Sequence, residues 1–338
     1  MNVRRVARLL PFVALLYLVG PVGFQLVGGG SSAGAADYHQ VKTKARQFNA
    51  AELRNWRALG DTWANPELIG IPIVLTYHDV AEDSESEYAV TPLQFAEHMD
   101  GLAAAGAHVI TAAEYRSFQQ GGSLPPRSVM ITFDDGTLGV WRYAEPILKA
   151  HNFPAVAFVI TGFVGTRRPY YMNWDEIDQL SATGRWSIEA HTHLGHRKVP
   201  TSASGDSGSF LSHLEWLPEG RLESLGEYRV RVGGDLDAGL AELRKHGHGK
   251  AGLFAYPFSD FGSVSNDPQV PKLLDEMIRA RFSASFNTGL NPLPLRGPFQ
   301  YNRLTVTRPT GSGVFMEKLI QIMDFNVRTK TPPPGHPG

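Results

Sequence analysis

The chain has 338 residues, 42% of them hydrophobic and 19% charged, with a formal net charge of −1 and no cysteine. That length admits two average domains or a single α/β barrel of about 250 residues. The near-neutral charge gives no support for nucleic-acid binding, and the missing thiols exclude disulfides and thiolate metal sites, leaving His, Asp and Glu to hold any transition metal.

Arg4, Arg5 and Arg8 precede an apolar stretch from Leu9 to Val27, and Ala33-Gly34-Ala35 follows. Residues 1–36 therefore read as a signal peptide or a membrane anchor. A positive flank, an apolar core and a cleavage-like pattern suit the first, whereas roughly 19 mostly apolar residues approach a bilayer span. Either form places the body outside the cytoplasmic membrane, extracellular or at the cell surface, with membrane contact only through this segment. Residues 37–70 are polar and mixed, with a short helical pattern at Phe48, Leu53, Trp56 and Leu59. They predict a linker carrying one small helix.

From Ile71 short apolar runs alternate with longer amphipathic ones. The runs are Ile71 to Tyr77, Val129 to Phe133, Ala155 to Ile160, Ser187 to Ala190, Leu253 to Tyr256, Phe282 to Phe286 and Leu304 to Thr307. Helical patterns fall at Thr91 to Ala105, Leu138 to His151, Asn173 to Leu180, Tyr228 to His246, Pro268 to Arg281 and Val314 to Met323. This alternation predicts βαβ units around a parallel sheet, and about seven units favour a barrel over an open sheet. Asn173 with Glu176 fits a capping box, Thr91-Pro92 a capped helix start, and Gly247 with Gly249 a helix stop. Residues 71–325 are expected to form a single catalytic domain, with a long surface loop at 200–226 and a disordered tail at 326–338.

Active sites of parallel barrels lie at the C-terminal ends of the strands. The residues following the expected strands are His78-Asp79, Asp134-Asp135, His191-Thr192-His193, Tyr256-Pro257 and Asn287. Two adjacent carboxylates repel when ionised, so Asp134 and Asp135 point to a cation or proton between them; taken alone the pair also fits a helix N-cap. His191 and His196 cannot share one face of a straight helix at five residues' separation. If Gly195 lets the loop bend back, both imidazoles reach one ion, and Asp135 completes a two-His, one-carboxylate set with positions open for water and substrate. His193 reads as solvated or as orienting a neighbour, His246 and His248 as helix-end cations, and Trp174, Trp186 and Trp216 as core or staple residues before sugar platforms.

Thr132-Phe133-Asp134-Asp135-Gly136 and His191-Thr192 to His196 resemble the first two motifs of the polysaccharide deacetylases, carbohydrate esterase family 4. Most members separate the two histidines by four positions. The five-residue separation is more like the branch acting on poly-β-1,6-N-acetylglucosamine, as are Leu75-Thr76-Tyr77-His78-Asp79 and Phe254-Ala255-Tyr256-Pro257-Phe258. The resemblance covers roughly residues 71–310 and implies a distorted (β/α)7-type barrel. It implies that Asp135, His191 and His196 bind one divalent metal, zinc before cobalt or nickel, and that Asp134 is the general base. It also places Tyr256 and Phe258 at the substrate, with the Phe258 N–H at the oxyanion. Two departures stand out. Ala255 stands near where many members carry an arginine that positions the base, and no histidine occurs between Leu290 and Lys330 to serve as the usual acid. His78 is the replacement acid.

The implied reaction is metal-dependent removal of N-acetyl groups from an extracellular N-acetylglucosamine polysaccharide, the β-1,6-linked polymer favoured. Alternatives are a peptidoglycan or other glycan deacetylase or esterase with the same site, and a catalytically weak glycan-binding protein. The expected partner is an N-acetylated polysaccharide; no protein partner is inferred.

Overall fold

Seven parallel strands close into a barrel in the computed structural model, which describes residues 47–289 and 299–329. The expected export segment, the start of the expected linker and the end of the expected tail lie outside those residues. The strands are β1 (Ile73–Tyr77), β2 (His108–Val109), β3 (Ser128–Phe133), β4 (Ala155–Val159), β5 (Trp186–Ala190), β6 (Leu253–Ala255), β7 (Ala284–Gly289) and β8 (Gln300–Thr305). Their order is β1-β8-β7-β6-β5-β4-β3, and β1 pairs again with β3 to close the ring. The short strand β2 adds to β3, on the opposite edge of Val129 from β1.

Alternation along the strands separates two cores, because successive side chains point to opposite faces. Val74, Met130, Val156, Phe158, Leu253, Ala255, Ala284, Phe286 and Tyr301 fill the barrel interior with Tyr115 and Phe118. The intervening residues, among them Ile73, Leu75, Val129, Ile131, Ala157 and Ile188, pack outward against the helices. The inward register of β3 runs Met130, Thr132, Asp134, so the pattern that builds the core also delivers the first carboxylate to the barrel mouth.

The helices are α1 (Ala50–Trp63), α2 (Pro92–Ala104), α3 (Ala112–Gln119), α4 (Glu145–His151), α5 (Trp174–Ala182), α6 (Leu225–Lys245), α7 (Val270–Arg279) and α8 (Ser312–Thr329). Reciprocal capping boxes start α2 at Thr91 with Gln94 and α5 at Asn173 with Glu176. The 18-residue helix α8 continues to Thr329 and buries Asn326, so the expected tail does not begin at 326. Among the described residues no helix is long and apolar enough to cross a membrane.

Two segments differ from the sequence expectation. The helix placed in a linker is α1, which buries Trp56, Leu59 and Trp63 in the outer core against α2 and α8. Its tryptophans, read locally as a polar stretch with a few apolar residues, are completed by partners distant in sequence such as Phe315, whose ring centroid is 6.2 Å from that of Trp56. The segment 200–226, expected as a long surface loop, carries short strand pairs. Lys198–Pro200 pairs with Ser207–Ser209, Trp216–Leu217 pairs with Arg221–Leu222, and Phe210, Leu211 and Leu214 are buried. Arg231 of α6 ties it down by donating to the carbonyls of Phe210 and His213, each at 2.8 Å.

Candidate metal and catalytic site

The strand ends bring all seven expected site residues to one cleft of about 290 Å³, lined by His78, Asp134, Asp135, His191, His196, Tyr256 and Phe258. That volume lies near the lower end of small-molecule sites, about 300–1,000 Å³, and suits a single sugar-sized unit.

Asp134 ends β3 and is buried. Its N–H continues the ladder to the Tyr77 carbonyl at 2.9 Å, and its two carboxylate oxygens accept from Nη1 and Nη2 of Arg303 at 2.8 and 2.7 Å. Arg303, in β8, is itself fully buried; it also donates to Thr132 Oγ1 at 3.0 Å and to the Asn287 carbonyl at 3.1 Å, and its guanidinium lies 5.1 Å from the Phe158 ring centroid. Burial pushes the Asp134 carboxyl up, but Arg303, followed by His191, outweighs it and holds the group below its ordinary value. Arg303 thus holds Asp134 from another strand, where the resemblance led us to expect an arginine near position 255. The expected strand from Leu304 began one residue too late to include it. A lone cation at the inward position between Tyr301 and Thr305 was the available signal.

Asp135 departs from strand geometry at φ +74°, and Gly136 follows at φ +81°. Among the described residues seven non-glycine positions have positive φ, and four of them, Asp135, Thr192, Phe258 and Ser259, sit in or beside this cleft. Backbone strain of this kind persists where surrounding structure enforces it and concentrates at functional sites. The turn after Asp135 sends its carboxylate toward the histidines. Nε2 of His191 and Nε2 of His196 each lie 3.4 Å from Asp135 Oδ1.

These three groups fit a metal ion. Their donor atoms lie within 4.8 Å of one another. Two ligands on a tetrahedral ion at about 2.1 Å stand about 3.4 Å apart, which is the separation found here. Asp135 Oδ1 is buried and makes no hydrogen bond within the protein. The Nδ1–H of His191 donates to the Ala255 carbonyl at 2.8 Å, which fixes the tautomer that leaves Nε2 as the free lone pair. Burial lowers the His191 imidazole, yet Asp134 and Asp135 reverse the effect and raise it; at His196 burial prevails and its value is lowered. Burial likewise opposes ionisation of Asp135, but the His191, His196 and His78 rings hold it well below the carboxylate range. The carboxylates that draw a proton onto His191 equally favour a cation in its place.

The remaining residues are placed as follows. His78 lines the cleft with its Nδ1 buried and unpartnered by protein, its ring 5.0 Å from that of Tyr88. Asp79 also lines the cleft and accepts from Thr137 Oγ1 at 2.8 Å. Phe258 is 47% exposed and its ring stands 4.4 Å from that of His196. Around the Phe258 turn the amides of Tyr256, Ser259 and Asp260 are engaged by backbone carbonyls. Tyr256 borders the cleft, but its ring packs edge-on against Phe254 at 5.1 Å and is only 3% exposed. His193 is not in the metal set; its Nδ1 meets Thr161 Oγ1 at 3.0 Å. His246 stacks on Trp174 at 3.8 Å, and His248 pairs with Asp178 at 3.1 Å. Trp186 donates to buried Glu145 at 2.6 Å, and Trp216 lies in the small hairpin opposite Leu222.

Residues 121–269 match the family model described as polysaccharide deacetylase. A poly-β-1,6-N-acetyl-D-glucosamine N-deacetylase of Staphylococcus epidermidis is 34% identical over 112 residues, covering 32% of this chain and 39% of the relative. One from Staphylococcus aureus strain N315 is 28% identical over 192 residues, covering 56% of this chain and 63% of the relative. The chain thus spans less than two thirds of the length of these curated relatives. Among solved structures, IcaB from Ammonifex degensii superposes with a TM-score of 0.57 at 28% identity, over 73% of this chain and 96% of that one. A de-N-acetylase from Aggregatibacter actinomycetemcomitans shares the fold, with a TM-score of 0.62 at 21% identity over 73% of this chain and 98% of that one.

Proposed function

We propose that this chain, which carries a polysaccharide deacetylase domain, is an exported, metal-dependent hydrolase that removes N-acetyl groups from an N-acetylglucosamine polymer. The β-1,6-linked polymer is the preferred substrate, since the curated relatives above are named for it. The observation that carries the reading is the meeting of Asp135, His191 and His196 beside an Asp134 that Arg303 keeps ionised.

Asp135, His191 and His196 would hold the divalent ion, zinc before cobalt or nickel, given two imidazoles and one carboxylate. A bound ion supplies Lewis-acid polarisation of the acetyl carbonyl and a lowered pKa for water at that position. Asp134, ionised and outside the ligand set, accepts the proton of the attacking water as general base. Arg303 holds both Asp134 oxygens, so the base cannot swing onto the ligand position. The Phe258 N–H is assigned to the oxyanion of the tetrahedral intermediate, a contact set by backbone geometry. As the C–N bond breaks, His78 delivers a proton to the leaving nitrogen, so that one amide and one water give acetate and a free glucosamine amine.

The test is amine and acetate release from defined β-1,6- and β-1,4-linked N-acetylglucosamine oligomers and from peptidoglycan, before and after chelation and zinc re-addition. The β-1,6 oligomers should be cleaved fastest, with activity lost on chelation and abolished in Asp134→Asn. Release from peptidoglycan alone would redirect the substrate, and no release from any N-acetylated glycan would sink the proposal.

A further inference from the structure

The segment from His191 to His196 has to reverse direction within four intervening residues for both imidazoles to face Asp135. Its hydrogen bonds show how that reversal is held. On one side the N–H of Thr161 donates to the Thr192 carbonyl at 3.2 Å and the N–H of Gly162 to the His193 carbonyl at 2.9 Å. On the other side stands Asp235 of α6, whose Oδ2 accepts from the His193 N–H at 2.9 Å and whose Oδ1 accepts from the Leu194 N–H at 2.7 Å. A carboxylate taking two consecutive amides fixes the orientation of both peptide planes, and charged acceptors make the stronger hydrogen bonds. The fit is close. A Cβ at Gly195 would lie 3.0 Å from Asp235 Oδ2 and 2.9 Å from the Phe210 ring, and one at Gly239, a helical turn on from Asp235, would lie 3.4 Å from the His193 nitrogen. Thr192, β-branched yet held at φ +70°, carries the strain of the turn.

The geometry points to Asp235 as a positioning residue for the metal site: its carboxylate sets the turn that carries His196 back to the point faced by Asp135 and His191. It touches neither ion nor substrate and acts only through the backbone of residues 193 and 194. The inference rests on the metal-dependent reading above, because a fixed distance between two imidazoles matters most when one ion must join them.

The experiment measures Zn²⁺ affinity by competition with a chromophoric chelator for wild type, Asp235→Ala, Asp235→Asn and Asp237→Asn. Asp237, two residues on and so on the other side of α6, pairs with Arg281 instead, at 2.7 Å. Amide hydrogen exchange at residues 193 and 194 is followed in parallel. Loss of an outer partner of a metal ligand weakens binding by about 10–100-fold; that loss is expected in Asp235→Ala, with a smaller one in Asp235→Asn, which retains one acceptor. Exchange at residues 193 and 194 should accelerate in both, excess Zn²⁺ should restore turnover, and Asp237→Asn should bind as wild type does. A Zn²⁺ affinity within about twofold of wild type in either folded Asp235 variant overturns the role of Asp235. If Asp235→Ala does not fold, Asp235→Asn decides. No Zn²⁺ binding by the wild type overturns the metal reading itself.

Discussion

Replacing Arg303 with Met removes the cation from both oxygens of Asp134 while keeping much of the side-chain volume. Two charges about 4 Å apart attract by about 4 kcal/mol at an effective dielectric constant of about 20, and breaking one half of a buried pair costs about 3–5 kcal/mol of stability. Asp134 then has burial raising its carboxyl with its chief counterweight gone. The sign is fixed: a carboxyl whose value rises is protonated over a wider acid range, so the acid limb of the kcat/KM profile moves to higher pH. Losing even a third of the Coulomb energy, about 1.4 kcal/mol, changes the protonation equilibrium about tenfold. The acid limb should therefore move up by at least about one pH unit, so that activity is lost on acidification earlier than in the wild type. Arg303→Lys keeps the charge and should move the limb less. The assay is acetate release from pH 3 to 10 on protein shown to be folded at each pH by circular dichroism. Equal loss at every pH, with the limb unmoved, would refute a role for Arg303 in setting the ionisation of Asp134.

Three further outcomes follow from the packing. His98 is buried and neutral, with Nε2–H donating to the Thr310 carbonyl at 2.8 Å and Nδ1 accepting from the Tyr77 hydroxyl at 3.2 Å; burial lowers it from 6.5 to about 4, against the Thr310 contact. The unfolded chain binds this proton first, so the stability it contributes is intact above about pH 6.5 and lost as pH falls to about 4, by about 3 kcal/mol. Urea unfolding of His98→Gln should show a correspondingly weaker dependence between pH 7 and 4, and parallel curves would exclude His98 as the source. Trp56→Ala should cost about 3–5 kcal/mol, since this ring is 1% exposed within the outer core; a change under 1 kcal/mol in denaturant midpoint would make α1 an appendage after all. A Cβ at Gly139 would fall 2.2 Å from both Asp79 Oδ1 and the Val80 carbonyl. Gly139→Ala should therefore cost about 1–3 kcal/mol or more and lower kcat through the displaced end of β1 at His78, and full activity with an unchanged melting temperature would contradict that close approach.

Much of the barrel was legible because its rules are local. Alternation of period 2 sets which strand residues face inward, capping boxes at Thr91 and Asn173 set where helices start, and apolar runs set where strands lie. The same locality made Asp134, Asp135, His191 and His196 readable, since each stands at or just beyond a strand end. What escaped notice had no local signature. The apolar residues of α1 are too sparse to mark a core helix until α2 and α8 cover them. Segment 200–226 is rich in Ser and Gly, and its order comes from Arg231 on another element.

The sequence by itself determined the strand and helix alternation, the residue types of the candidate metal site and the five-residue spacing of the two histidines, because these depend on neighbours along the chain. Only the tertiary structure decided which cation pairs with Asp134 and which carboxylate holds the histidine turn. Arg303 lies 169 residues from Asp134, and Asp235 lies 42 residues from His193. Such partners are selected by closure of the barrel and the packing of α6 over the strand ends, where burial makes an unpaired charge costly and no short-range pattern records the pairing.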